Sequence, residues 1–286
     1  MSDTISDTIS DTISDSNKKI VVFDLDETLG NFVELGIFWD ALEDFHGHKM
    51  PEKHFFEVVD LFSNFLRPNI ITILEFLVEK KRTGKCDSLM IYTNNQGPKS
   101  WARMISRYFD SKLGVKTFDR IIAAFKVRGK IVEIHRTSHD KSVKDLVRCT
   151  KIQPSAEICF LDDQYHPLMK HNNVFYINVK PYIYNMPFRD MAEKYYDFND
   201  LSEGKEVFVS TIEKFMNRYD YTCTSKEDIE QDVDIIVSKK ILVHLEEFFN
   251  REQKNKNSKT RKHRRRRKRS GVTMKNSKVS LKTGLK

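Results

Sequence analysis

Short, dense apolar runs punctuate longer amphipathic stretches along this chain. Ile20-Val21-Val22-Phe23, Leu89–Tyr92, Ile158–Leu161 and Val174–Val179 are such runs. Their brevity and uniform apolarity predict buried strands. A further strand is predicted over Arg120–Ala124, and Phe125–Thr137, with Arg128-Gly129 at its turn, reads as a hairpin. Between the strands the spacing turns helical. Arg67-Pro68 opens a helix that Gly84 ends, with Ile70, Ile73, Leu74, Leu77 and Val78 as its apolar stripe. Other helices are predicted near Pro98–Phe109, Lys141–Cys149, Glu203–Tyr219 and Lys226–Phe249. The stretch Asn31–Asn64 is rich in Phe and His, is divided by Pro51, and reads as two short helices. Strands separated by helices predict an α/β, Rossmann-like fold: a mostly parallel central sheet flanked by helices, with a small helical insert after the first strand.

Composition adds a division along the chain. With 286 residues, 20 Phe, 10 Tyr and 39% hydrophobic residues, the chain can bury a sizeable core as one large or two small domains. Its two ends cannot. Residues 1–17 repeat the tetrapeptide Ser2-Asp3-Thr4-Ile5 and read as a disordered acidic leader. From Asn250 to Lys286 there are 16 Lys or Arg against one acid, Glu252, a net +15. The whole-chain charge of +8 then leaves the remainder at −7. Residues 251–286 read as a disordered basic tail that is a nuclear localisation signal for an import receptor, a nucleic-acid binder or a solubilising segment. No aromatic residue lies between Arg251 and Lys286, so nucleic acid would be held by charge alone and released by salt. The longest apolar stretch, Ile70–Val78, is broken by Thr72 and Glu75 and is too short to span a bilayer, so no membrane partner is expected. The acidic start lacks an apolar signal core, which points to an intracellular protein, nuclear or cytoplasmic and not secreted. Cys86, Cys149, Cys159 and Cys223 form no CxxC pair and read as thiols in a reducing compartment.

Three predicted strands end in polar residues. Asp24 and Asp26 follow Phe23 two positions apart, so they share a face, and Thr28 comes next. Two crowded carboxylates repel and call for a proton or a cation between them. Thr93-Asn94 follows the run Leu89–Tyr92 and Asp162-Asp163 the run Ile158–Leu161. In parallel α/β sheets the ligand site lies at the carboxyl ends of the strands, where all three groups fall. Each has a plainer reading: Asp24 and Thr28 as turn caps, Thr93 as a strand end, Asp162-Asp163 as a turn before Pro167. The aromatic residues from Phe32 to Phe56 read as a mini-core, and the nine histidines show no metal-ligand spacing.

Read together, DLDETL (Asp24–Leu29), IYTNN ending on Thr93-Asn94-Asn95, SVKDL around Lys144 and FLDD (Phe160–Asp163) resemble the haloacid dehalogenase (HAD) superfamily of phosphohydrolases. The wording, with LRPN at Leu66–Asn69, is most similar to the FCP/SCP (NLI-interacting-factor-like) phosphatases of the RNA polymerase II C-terminal domain. The likeness covers about Lys19 to Val179. It implies an Mg²⁺-dependent phosphomonoester hydrolase acting on a phosphorylated substrate, a Ser/Thr phosphoprotein first, a small metabolite or nucleic acid end second. A non-catalytic, nucleic-acid-associated protein on the same fold is the third reading. The resemblance implies Asp24 as nucleophile and metal ligand, and Asp26 as general acid and base with its backbone carbonyl on Mg²⁺. It further implies Thr93 and Asn94 on the phosphate, Lys144 neutralising charge, and Asp162 and Asp163 completing the metal shell, the second more directly. Lys126, Lys130 and Lys141 are alternatives to Lys144. The chain departs from the usual DLDETLVH wording at Gly30-Asn31, and residues 31–64 sit where other HAD enzymes carry a lid. The implied organisation is a leader (1–17), a phosphatase domain (18–200, with the cap-like insert 31–64), packed helices (201–250) and the tail.

Overall fold

The computed structural model describes residues 18–199, 201–219 and 226–273; the leader, Cys223 and residues 274–286 lie outside them. The described residues form seven strands: β1 (Lys19–Phe23), β2 (Ser88–Tyr92), β3 (Arg120–Ile122), β4 (Lys126–Val127), β5 (Lys130–Ile131), β6 (Glu157–Asp162) and β7 (Val174–Asn178). The helices are α1 (Val33–His46), α2 (Glu52–Leu61), α3 (Ile70–Arg82), α4 (Lys99–Leu113), α5 (Val143–Thr150), α6 (Phe188–Phe198), α7 (Lys205–Met216) and α8 (Asp228–Thr273).

Five strands make one parallel sheet in the order β3-β2-β1-β6-β7, while β4 and β5 form the expected antiparallel hairpin around Arg128-Gly129. Burial explains the order. Every residue of β1 is buried, which only a central strand covered on both faces permits. One face packs Ile20, Val22, Met90 and Phe160 against Leu146 of α5. The chain steps outward from β1 through β2 to β3, then returns to lay β6 on the other side of β1. This reversal makes a crevice beyond the carboxyl ends of β1 and β6. The register pairs Phe23 with Leu161, and the Asp24 amide donates to the Leu161 carbonyl at 2.8 Å. The next residues of the two strands, Asp24 and Asp162, are therefore neighbours.

The insert is helical, as expected, and its two ends are stitched together. Asn31 N–H donates to Phe65 O at 2.7 Å and Arg67 N–H to Leu29 O at 3.1 Å. Gly30 lies inside this stitch. A Cβ there would stand 2.6 Å from Phe65 O and 2.8 Å from the Phe32 ring. This close approach gives the Gly30-Asn31 wording a physical cause. Gly30→Ala should destabilise the protein by roughly 2 kcal/mol in chemical denaturation, because the Phe65-Leu66 backbone and the buried Phe32 ring must move. Aromatic residues fix the insert in place. Phe38 meets Phe62 and Tyr195 edge-on, Trp39 meets Phe55, and Phe55 meets Trp101 of α4. The mini-core expectation fits their burial.

Two expectations need correction. The helix α6 is not marked by the apolar pattern, because it buries only Met191, Ala192 and Tyr195 among polar neighbours. The tail expected to be disordered from residue 251 has helical backbone to Thr273. Lys, Arg and Gln are good helix formers, and no Gly or Pro interrupts the run before Gly271. The chain divides after Ile241 into two compact units. In the first, Phe208 of α7 packs on Phe45 of α1 and Tyr195 of α6. No helix among the described residues is long and apolar enough to cross a membrane.

Candidate active site

The strand ends converge on a compact acidic centre. Asp24, Asp162 and Asp163 each offer a carboxylate oxygen, and the three atoms lie within 4.8 Å of one another. Asp24 and Asp162 meet through the β1–β6 register. Asp163 is turned by Thr28: its amide donates to Thr28 Oγ1 at 3.2 Å, and that hydroxyl donates back to Asp163 Oδ1 at 3.1 Å. Thr28 thus links the DLDETL loop to the FLDD turn, beyond capping its own turn.

A buried ammonium group sits among the acids, and it belongs to Lys141. Its Nζ stands 2.6 Å from Asp24 Oδ1 and 2.7 Å from Asp162 Oδ2, with the residue 1% exposed. Lys144, the lysine expected here, is exposed on α5. The cause is helical geometry. Ser142 caps α5, its Oγ accepting from the Asp145 amide at 3.1 Å. Inward positions are then Asp145, Leu146 and Thr150, while Lys144 and Arg148 share the outer face four residues apart. Lys141 precedes the cap and points along the strand ends, its Nζ 5.9 Å from the Tyr92 ring centre and 6.0 Å from that of Phe160. Lys126 is half-buried and Lys130 exposed on the hairpin.

Thr93 is 2% exposed at the end of β2. Its Oγ1 accepts from the Asn95 amide at 2.9 Å, leaving the hydroxyl proton to donate elsewhere. Asn94 follows it and is held by Arg136. Its Oδ1 accepts from Arg136 Nη2 at 2.7 Å, and Arg136, itself buried, also donates to the carbonyls of Thr93, Ala123 and His139. The residue that reaches the acids is Asn95, whose Nδ2 donates to Asp26 Oδ2 at 2.7 Å. Asp26 Oδ1 is buried with no hydrogen-bond partner.

Three further residues escaped the sequence reading. His166 Nε2 lies 3.3 Å from Asp162 Oδ2, an i,i+4 spacing visible in the sequence. Arg67, from the LRPN motif, is fully buried and clamps the DLDETL loop: Nε donates to Thr28 O at 2.6 Å, and Nη2 to Glu27 O at 2.5 Å and Lys180 O at 2.9 Å. This holds Glu27 at φ +57°, a left-handed conformation that the loop needs to turn. Asn95 is the third.

The electrostatics follow from four acids facing one lysine. Burial pushes Asp24 up to about 6, with Lys141 opposing and Asp162 reinforcing. Burial likewise raises Asp26 to about 6 against the Asn95 hydrogen bond, and raises Asp163 to about 6 with the Asp24 charge adding to it. Burial would also raise Asp162, but His166 and Lys141 outweigh it and hold that carboxyl below its usual value. This set is short of positive charge and all-oxygen in its donors, which suits a hard divalent cation such as Mg²⁺. Asp162 already accepts from Lys141 and from the Gln164 amide, whereas the side-chain donor to Asp163 is Thr28, so Asp163 has more capacity for a cation.

Stability should respond to pH accordingly. Asp24, Asp26 and Asp163 bind protons more tightly in the folded protein than at the ordinary aspartate value of 3.8, so their ionisation penalises the fold fully above about pH 6 and not at all below about pH 4. Asp162 acts oppositely, but its contribution is lost only at still lower pH. The metal-free protein should therefore gain stability from these groups between pH 7.5 and 5.5, and Asp24→Asn should shrink that gain. Thermal unfolding of both proteins in EDTA measures it. No family model matches the chain, and no curated protein matches it.

Proposed function

We propose that this protein is a phosphomonoester hydrolase that passes the phosphoryl group through Asp24. The observation that carries this reading is the convergence of Asp24, Asp162 and Asp163 around buried Lys141 at the carboxyl ends of adjacent parallel strands. A phosphomonoester dianion repels nucleophiles, so a site for it needs a positioned carboxylate, a fixed cation and hydrogen-bond donors. Asp24 supplies the nucleophile and would form an aspartyl-phosphate. Lys141, already paired with Asp24 Oδ1, keeps that carboxylate ionised and oriented and offsets the charge that gathers in the transition state. Thr93 has a hydroxyl proton to give to a phosphoryl oxygen. Asp26, raised toward neutrality by burial, is suited to protonate the leaving oxygen and then to take the proton of the attacking water. Asp24, Asp163 and Asp162 would hold Mg²⁺, with the Asp26 backbone carbonyl joining them as the resemblance implies. Bound there, the ion would neutralise phosphoryl and carboxylate charge.

The HAD and FCP/SCP resemblance favours a Ser/Thr phosphoprotein as substrate. A small metabolite or nucleic acid end is the second reading, favoured by the helical insert that replaces an extended segment. The basic run is the proposed contact to nucleic acid or an import receptor, in the nucleus or cytoplasm. The test is hydrolysis of p-nitrophenyl phosphate with Mg²⁺. Turnover in the wild type and its loss in Asp24→Asn support the proposal. A wild type that is inert, or an Asp24→Asn variant that is active, overturns it.

A further inference from the structure

A cavity of about 470 Å³ lies between α1 and the start of α4, beside the acidic centre. Its apolar wall is made by Val33, Ile37, Trp39, Met50, Trp101 and Met104. Asn95 also lines it, and Asn95 is the side chain that donates to Asp26 Oδ2 at 2.7 Å. One amide group therefore separates the cavity from the carboxyl that would protonate a leaving oxygen. Gly36 lines the same space. A Cβ there would meet the Trp101 ring at 3.1 Å, so the absence of a side chain lets the indole lie flat along α1.

Charge narrows what the cavity takes. Among the described residues lining it, Lys49 is the only cation, and it is paired with Glu43. Asp40 adds a second acid. A leaving group carrying further phosphates would face the carboxylates of Asp40 and Glu43. A sugar would exchange its water for mostly apolar walls and leave its hydroxyls short of hydrogen bonds. An aromatic ring suits a volume walled by two indoles and two thioethers.

Resting on the phosphatase reading above but replacing its Ser/Thr preference, we propose that this cavity receives the leaving group and selects phosphomonoesters whose alcohol carries an aromatic ring. Two sources share that chemistry, a free aryl or arylmethyl phosphate and the phosphotyrosyl side chain of a protein. A phosphoseryl side chain, with a single methylene, leaves the cavity empty.

The protein contains two tryptophans, and both line this cavity, so intrinsic fluorescence reports on its occupation. The test titrates wild type with benzylphosphonate and methylphosphonate in the presence of Mg²⁺. Benzylphosphonate should change the tryptophan emission saturably and bind at least tenfold more tightly. Gly36→Leu, whose side chain fills the cavity and pushes the Trp101 ring aside, should lower the thermal midpoint and cost benzylphosphonate that advantage, while methylphosphonate affinity stays nearly unchanged. In turnover, kcat/KM for benzyl phosphate should exceed that for ethyl phosphate at least tenfold, the two alcohols being of similar acidity. A phosphotyrosyl peptide surpassing phenyl phosphate, whose leaving group is of similar acidity, identifies protein as the source; the reverse order identifies a small molecule.

Equal binding of the two phosphonates with silent tryptophans, or a phosphoseryl peptide preferred over its phosphotyrosyl counterpart, overturns the cavity assignment even if p-nitrophenyl phosphate is hydrolysed. Benzylphosphonate binding with no turnover of any phosphomonoester keeps the cavity as an aryl-phosphonate site and overturns the phosphatase reading.

Discussion

Replacing Lys141 by alanine is expected to destabilise the fold by about 3–5 kcal/mol and to lower turnover at least ~100-fold, whereas Lys144→Ala changes stability by no more than about 0.5 kcal/mol and turnover by less than about twofold. The asymmetry follows from position. Lys141 Nζ is buried between Asp24 and Asp162, at 2.6 and 2.7 Å, so its loss strands two buried carboxylates with no compensating charge. His166 remains beside Asp162, but no side chain replaces Lys141 at Asp24. Lys144 stands on the outer face of α5 in water. Urea denaturation in EDTA separates the two variants, and the rate on p-nitrophenyl phosphate supplies the second axis. Adding Mg²⁺ should recover part of the stability of Lys141→Ala, because a bound cation supplies the missing charge by mass action. If Lys144→Ala were the more damaging variant, the assignment of the site lysine would be wrong.

Asp26→Asn should split the reaction into two observable steps. The Asn95 hydrogen bond can persist, since an asparagine oxygen still accepts from Asn95 Nδ2, so the loop should keep its shape. What is lost is the proton. With p-nitrophenyl phosphate the leaving group needs little protonation, so the first step should survive. Hydrolysis of the aspartyl-phosphate needs a base, so it should slow by roughly 100-fold or more. The expected record is a burst of nitrophenol near one equivalent per protein, followed by slow turnover and an acid-stable, hydroxylamine-sensitive phosphoprotein. With an alkyl phosphate, whose leaving oxygen must be protonated, the burst should disappear. A variant that turns over both substrates like the wild type would remove Asp26 from the chemistry and weaken the case for a cavity placed beside it.

Much of the architecture is legible one residue at a time. The run Ile20–Phe23 is apolar without alternation, and it is the central strand; the alternation in Phe125–Thr137 with Arg128-Gly129 is a real hairpin. Where sequence reading misplaces a residue, local periodicity was outranked by wording or by neighbours. The SVKDL string draws attention to Lys144, although the i,i+4 partnership of Lys144 with Arg148 marks an outer face and Ser142 marks the cap that sends Lys141 inward. In Thr93-Asn94-Asn95 the first asparagine looks as apt as the second; the difference is Arg136, more than forty residues away, which takes the Asn94 oxygen.

By itself, the sequence determined the strands, most of the helices and the acids at the strand ends, because apolar runs and two-residue alternation are local properties of the chain. The tertiary structure alone decided which polar groups meet. The pairing of Phe23 with Leu161 sets Asp24 beside Asp162, the cap of α5 delivers Lys141 between them, and the packing of α1 on α4 leaves an aromatic-walled space next to Asn95. Those meetings depend on strand order, register and helix rotation across gaps of dozens of residues, and no window of sequence holds both partners at once.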